Sequence, residues 1–387
     1  MSVATQPVAE TRSWPRRHRQ GLLVGVVLIV VLALAAGAAL SWHFSSAVLV
    51  PDRSQYPEAT VRAISAGEVV LSRSEDTLRP GVYGLEWHGG HAIVEGVLAN
   101  SPDSVTRRLR AASSRPPMGA SVGVENGVYV GNPRQALGLP FTEVRVPDEL
   151  GPMPAWLIPG RTHIWAIVVH GINSNRDDVM RIAPALHAAG SSTLLITYRE
   201  DAGAPPSPDG LHHMGLTEWR DLQAAVSYAL AHGAQRIVLA GYSMGGAIVS
   251  QFMERSPLAH RIAGLILDAP ALDWKSILAF NAEEKGLSSL MALPVEWMVG
   301  TRIDADWNSL DALHHTADFH LPILLFHGSE DKLVPISTSN AFASALPGCV
   351  TYYRVAHAAH VESWNVDPSL YDQRVTAFVA HLGGAKE

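Results

Sequence analysis

Residues 236–253 read RIVLAGYSMGGAIVSQFM and contain Gly241-Tyr242-Ser243-Met244-Gly245. Residues 119–123, GASVG, fit the same Gly-x-Ser-x-Gly spacing. The letters do not choose between the two serines; the flanking structure does. Arg236–Ala240 is a continuous apolar run of buried-strand type, and Ala247–Arg255 has helical spacing. A strand–turn–helix of this kind presents a nucleophilic serine on a sharp turn, and Gly241 and Gly245 let strand and helix close on each other. The other match lacks that frame. Pro116-Pro117 precede it, and the alternating run after it surrounds Asn126-Gly127, a hairpin signal. Ser121 is expected in a strand without a chemical role.

From about residue 143 apolar strands alternate with helical stretches. WAIVVHG, TLLITYR, RIVLAGYS, GLILDAP, ILLFHGSED and VTYYRVAH are the strands; 217–232, 244–255, 335–346 and 368–382 are the helices. Apolar strands separated by helices predict an α/β fold, a mostly parallel sheet covered by helices. Ligand sites in such sheets form at the carboxyl ends of the strands.

A serine needs a base, and the base needs a group to orient it. Asp331 follows the strand ILLFHG and is the candidate acid, with Asp268 and Glu330 as competitors. In VAHAAHVESW, His360 lies in the loop before the last helix and is the candidate base; His357, nearer the strand, competes. Oxyanion donors are expected from backbone N–H groups. Met244 directly follows the serine, and Ile172 follows Gly171 in the loop His170–Asn175, where Asn173 is the runner-up.

HG at 170–171, GYSMGG at 241–246, GSEDKLVP at 328–335 and AAHVESW at 358–364 resemble, in order and type, the motifs of α/β-hydrolases. The resemblance covers residues 143–382 and is nearest to membrane-anchored or exported serine hydrolases of the lipase and esterase kind. It implies an acyl-enzyme mechanism in which Ser243 attacks an ester carbonyl, His360 acts as base and Asp331 holds the imidazole. A peptidase or acyltransferase with the same triad, and a non-catalytic envelope interaction module on a hydrolase scaffold, are the alternatives. Residues 143–387 form the expected hydrolase domain. Residues 271–320, holding Trp274, Phe280, Met291, Trp297, Met298 and Trp307, are where this superfamily inserts a lid.

Residues 21–40, GLLVGVVLIVVLALAAGAAL, are apolar without a charge, long enough as a helix to cross a bilayer. Arg12, Arg16, Arg17 and Arg19 precede them, while Asp52, Arg53 and Glu58 follow. Residues 1–20 are thus expected as a cytoplasmic basic tail, 21–42 as a transmembrane anchor with Trp42 and Phe44 at the far interface, and the rest outside. A cleaved signal ending near Ala36-Gly37-Ala38 is the rival. Residues 45–142 carry short runs such as EVVLS, GVYGLEW and AIVEGVL and are expected to form a small β-rich accessory region.

The net charge of −7, with no basic stripe beyond the N-terminus, excludes a phosphate-backbone binder, so no nucleic acid partner is expected. One cysteine, Cys349, excludes an intrachain disulfide. The pairs His212-His213 and His314-His315 lack the helical i,i+4 spacing of a zinc site, so neither metal nor cofactor is expected. The expected partners are a small-molecule or lipid ester and a membrane.

Overall fold

The computed structural model describes residues 16–384 except 53 and 55–57. Most of the expected basic tail, Arg12 included, and Arg53 lie outside the described residues. Helix α1 (Arg16–Leu49) is followed by six strands: β1 (Ala59–Ser65), β2 (Glu68–Ser72), β3 (Val82–Trp87), β4 (Gly90–Asn100), β5 (Ser104–Ala112) and β6 (Ser121–Glu125). Short helices α2 (Glu75–Leu78) and α3 (Pro133–Leu137) flank them. Eight more strands follow: β7 (Thr142–Val146), β8 (Met153–Ile158), β9 (Ile164–Val169), β10 (Ser192–Ile196), β11 (Arg236–Tyr242), β12 (Ile262–Asp268), β13 (Ile323–Gly328) and β14 (Val350–Val355). Helices α4 (Ala183–Ala188), α5 (Trp219–Ala231), α6 (Met244–Arg255), α7 (Trp274–Glu284) and α8 (Leu293–Ile303) lie among them. The chain ends with α9 (Ile336–Ala345), α10 (Ser363–Val366) and α11 (Pro368–Gly384).

The last eight strands form one sheet in the order β14-β13-β12-β11-β9-β10-β8-β7. Every pair from β14 to β10 is parallel; β8 and β7 close the far edge antiparallel. Residues of β9, β10 and β13 are buried throughout, as a sheet covered on both faces requires. One face packs under α5, α6 and the 271–320 segment, the other under α4 and α11. The chain leaves β9 for β10, then crosses back to β11 on the other side of β9. The loops after β9 and β11 therefore lie side by side at the sheet's switch point, where an open α/β sheet leaves a crevice.

The β-rich region closes into a six-stranded barrel, β1-β2-β5-β4-β3-β6, around Val61, Val69, Leu71, Leu85, Val94 and Val124. Closure removes the free edges a small sheet would expose. Ser121 opens β6, as expected of the rejected match. The hairpin expected at Asn126-Gly127 does not form, because β6 pairs with β1 and β3 and the chain then leaves the barrel. Asn126 is used for docking: its backbone oxygen accepts from Arg181 at 2.8 Å and from Asn365 Nδ2 at 2.9 Å. Inside the barrel, buried Arg107 has no carboxylate partner among its hydrogen bonds. Its guanidinium donates instead to the carbonyls of Thr77, Arg79 and Gly81, satisfying a turn that strand pairing leaves open.

Helix α1 runs seven residues beyond the expected end of the anchor at 42. Residues 23–49 are long and apolar enough to cross a membrane, and side chains from Leu23 to Leu34 stand largely exposed. One side of its last turns is covered by protein. Ser41, Ser45 and Leu49 are buried, and Leu49 belongs to the core on one face of the sheet.

Barrel and sheet meet at Gly81, whose φ is +108° and where a Cβ would lie 2.1 Å from the backbone oxygen of Asn365. Gly81→Ala is expected to cost about 3 kcal/mol through overpacking and backbone strain. Gly67→Ala, at φ +85° with open space around it, is expected to cost only the strain, about 1 kcal/mol. Denaturant midpoints of the detergent-solubilised chain measure both; equal shifts would show that the barrel does not press on Asn365.

Candidate active site

Ser243 sits between β11 and α6 with φ 51° and ψ −119°, a backbone conformation that costs a non-glycine residue about 1–3 kcal/mol. Its surroundings hold it there. Its N–H donates to Asp268 O at 3.1 Å, while its carbonyl accepts from Gly246 N at 2.9 Å and Ala271 N at 3.0 Å. A Cβ on Gly241 would lie 2.6 Å from Gly245 O, and one on Gly245 would lie 2.3 Å from Val169 O. Gly246, not singled out in the sequence, is equally constrained, with 2.4 Å to Pro270. The contacts at Gly241 and Gly245 are backbone against backbone, so the strand, the turn and α6 approach as closely as a chain can.

The structure brings Ser243, His360 and Asp331 together. His360 Nε2 is 2.9 Å from Ser243 Oγ, and His360 Nδ1 is 2.7 Å from Asp331 Oδ2. Asp331 is buried, and its Oδ1 accepts from Leu333 N at 2.8 Å and Val334 N at 2.9 Å. Burial opposes ionisation of this carboxyl, but the imidazoles of His360 and His327 outweigh it and hold it well below the usual carboxylate range. Burial works against protonating His360, and the facing Asp331 carboxylate more than compensates, so its pKa is raised. The competitors lie elsewhere. Asp268 accepts from Ser363 Oγ at 2.7 Å, Glu330 pairs with exposed His357 at 3.0 Å, and neither touches His360.

The His360 loop is itself strained. Val361, a β-branched residue, has φ 58°, far from its preferred range. Arg181, buried, donates to Val361 O at 2.7 Å and to Asp178 O and Asn126 O, both at 2.8 Å. The next residue, Glu362, accepts from Ala359 N at 3.1 Å, from Tyr83 OH at 3.0 Å and from Arg79 Nη1 at 2.6 Å. Tyr83 and Arg79 belong to the barrel region. That region, without chemistry of its own in the sequence, therefore fixes the loop that carries the imidazole.

The loop after β9 is fixed from the other side. Gly171 O accepts from Tyr198 OH at 2.6 Å and lies 2.9 Å from His170 Nδ1, while His170 Nε2 is 2.8 Å from Asp201 Oδ2. A trans peptide points its C=O and N–H in opposite directions, so anchoring Gly171 O turns the Ile172 N–H away from Tyr198. A Cβ on Gly171 would lie 3.7 Å from Ser243 Oγ, which shows how near this loop runs to the serine. Asn173 is engaged differently: its Oδ1 accepts from Asp52 N at 2.9 Å and lies 3.2 Å from His212 Nε2. Met244 is the first residue of α6, where a backbone N–H has no acceptor within the helix. Tyr198 and Asp201 were not among the sequence candidates. Their signal was available, because YRED follows β10 at the same end of the sheet.

Ser243 and His360 border a cavity of about 590 Å³, lined mainly by apolar residues including Trp274, Ile277, Leu278 and Val295. Of the aromatic residues expected in a lid, Trp274 is buried, with Nε1 donating to Met214 O at 3.1 Å, whereas Trp297 is 66% exposed. The paired histidines face local acids: His213 lies 3.2 Å from Asp209, and His314 lies 3.2 Å from Asp311. Among the described residues no group of three His, Cys, Asp or Glu is arranged to hold a metal ion.

Residues 162–312 match the model of a family described as serine aminopeptidase, S33, and residues 60–124 match a domain of unknown function. Two uncharacterized proteins from Mycobacterium tuberculosis strains are 29% identical over 214 residues. That match covers 54% of this chain and 65% of each relative. Among solved structures, an esterase of Pyrococcus furiosus superposes with a TM-score of 0.52 at 22% identity, covering 65% of this chain and 97% of that one. EstE5, soaked with p-nitrophenyl butyrate, superposes with a TM-score of 0.50 at 17% identity, covering 67% of this chain and 89% of that one. Matched in strand arrangement by these structures and, over residues 162–312, in sequence by that family model, the chain has an α/β-hydrolase fold.

Proposed function

We propose that this chain is a serine hydrolase of carboxylic esters, anchored by α1 with its N-terminus in the cytoplasm and its catalytic domain outside. The observation that carries the chemistry is the hydrogen-bonded series Ser243–His360–Asp331 at the wall of an apolar cavity. Ser243 Oγ attacks the ester carbonyl as His360 Nε2 accepts its proton. The negative oxygen of the tetrahedral intermediate is met by the N–H groups of Ile172 and Met244. Collapse breaks the ester C–O bond, and His360 returns the proton to the departing alkoxide, leaving an acyl group on Ser243. Water, deprotonated by the same imidazole, then releases the carboxylic acid and restores the serine. Asp331 stays ionised throughout and fixes which nitrogen of His360 faces the serine.

Amide cleavage is the second reading. It is favoured by the name of the matching family and by Glu125 on the cavity wall, whose carboxyl is pushed up to about 7, chiefly by burial and then by the nearby Glu86 and Asp178. A substrate ammonium would find an acceptor there. Comparing p-nitrophenyl esters with aminoacyl p-nitroanilides decides between the two readings, and faster anilide cleavage would overturn the ester assignment.

A fluorophosphonate probe is expected to label the full-length chain in detergent, and Ser243→Ala to abolish the label. Labelling that survives this substitution would remove Ser243 from its role. The base must be neutral to act, so kcat/KM for a soluble ester is expected to rise with pH through a midpoint above the ordinary imidazole value of about 6.5. Asp331→Asn removes the charge that raises His360, so it is expected to move that limb downward and to lower kcat by about 10³–10⁴-fold. An unmoved limb in this variant would show that another group controls the profile.

A further inference from the structure

The cavity that Ser243 borders is not walled by the hydrolase domain alone. Gly37, Leu40, Ser41, Phe44 and Val48 of α1 line the same space as Ser243 and His360. Gly37 and Leu40 belong to the apolar run 21–40 that is long enough to span a bilayer. At 1.5 Å per residue the 34-residue helix is about 51 Å long, roughly 20 Å more than a hydrocarbon core. The excess is shared between the basic turn at its start and the partly buried end that enters the domain. The cavity thus meets α1 where it passes from lipid to protein.

The segment beside that end carries a second apolar surface. Leu287, Leu290, Met291, Leu293 and Trp297 are 45%, 70%, 50%, 55% and 66% exposed. Met291 and Leu287 also line the cavity, so the outer face and the inner wall belong to one short stretch. Helix α8 packs on α1, and Arg302 binds the two elements by donating to Ser45 Oγ at 2.8 Å and Ser46 Oγ at 2.9 Å. This patch is therefore continuous with the lipid-facing side of α1. At the same level Arg302 lies 4.2 Å over the Trp42 ring and Lys285 lies 5.1 Å over Phe44, two cations placed among interfacial aromatics as at a headgroup layer.

We propose that residues 287–297 dip into the outer leaflet beside α1, and that the substrate is a bilayer-resident acyl ester drawn laterally along α1 into the cavity. The proposal rests on the ester hydrolase reading above. The helix is then part of the acyl-binding wall as well as a tether. An apolar surface of this size held at a bilayer gains by burial, whereas in water it would be an aggregation site.

The test uses the full-length chain in nanodiscs holding one copy each, with a long-chain diacylglycerol in the disc or p-nitrophenyl acetate in the buffer. The double variant Leu290→Glu, Trp297→Glu is expected to lower the ratio of diacylglycerol to acetate hydrolysis by about tenfold, because two large side chains lose their lipid burial. An unchanged ratio would overturn the proposal. Position is read separately by bimane attached to Leu290→Cys in a Cys349→Ser background. Brominated acyl chains are expected to quench it. No quenching in single-copy discs would overturn the docking, as would quenching lost when discs hold two copies, the sign of a patch covered by a second copy. If neither ester is cleaved and Ser243 takes no fluorophosphonate, the ester chemistry fails, and with it the substrate assignment. The quenching result then still decides the leaflet contact.

Discussion

The site depends on one close approach, that of α6 to the end of β9. Gly245 lies against the carbonyls of Val169 and His170 at distances that no side chain could share. That contact sets the turn after β11, forces Ser243 into its positive φ, and brings the loop bearing Gly171 to the serine. The strain is local, and the surrounding hydrogen bonds to Asp268, Gly246 and Ala271 sustain it. Parallel pairing of β9 with β11 is what makes the approach possible, because the crossing at this point leaves both loops at the same edge.

Around this contact the molecule holds Ser243 and His360 through polar groups that are themselves buried. Arg181 ties the His360 loop to the end of β6 and to the loop after β9 by donating to backbone carbonyls. Tyr198, His170 and Asp201 do the same for the peptide of Gly171. Groups of this kind are costly to bury unless paired, and the pairs they make here fix the geometry of both loops. The barrel contributes through Arg79, Tyr83 and Asn126, so a region with no reactive chemistry of its own holds the position of the imidazole.

Much of this was legible in the sequence. The strand and helix runs after residue 143, the elbow at Ser243 and the order of Asp331 and His360 were readable, because parallel strands are apolar throughout and chemistry gathers at their carboxyl ends. The misreading at Asn126-Gly127 has a plain cause: Asn-Gly satisfies the hairpin rule locally, but the strands that pair with β6 are β1 and β3, both earlier in the chain. The anchor expected at 21–42 is the apolar part of a helix that continues to Leu49. Hydropathy marks the part of a helix that meets lipid, and Ser41 and Ser45 interrupt it although both are buried against protein.

The sequence by itself determined what is local or periodic: the apolar span, the alternation of strand and helix, the glycines of the elbow and the candidate site residues. The tertiary structure alone decided which acid meets His360, since Asp268, Glu330 and Asp331 all follow strands and only the distances separate them. It also decided that the barrel braces the histidine loop and that α1 walls the cavity. These contacts join residues up to about 280 positions apart, such as Arg79 with Glu362. Neither hydrophobic period nor motif spacing reaches that far, because pairing at such separations is set by how whole layers pack.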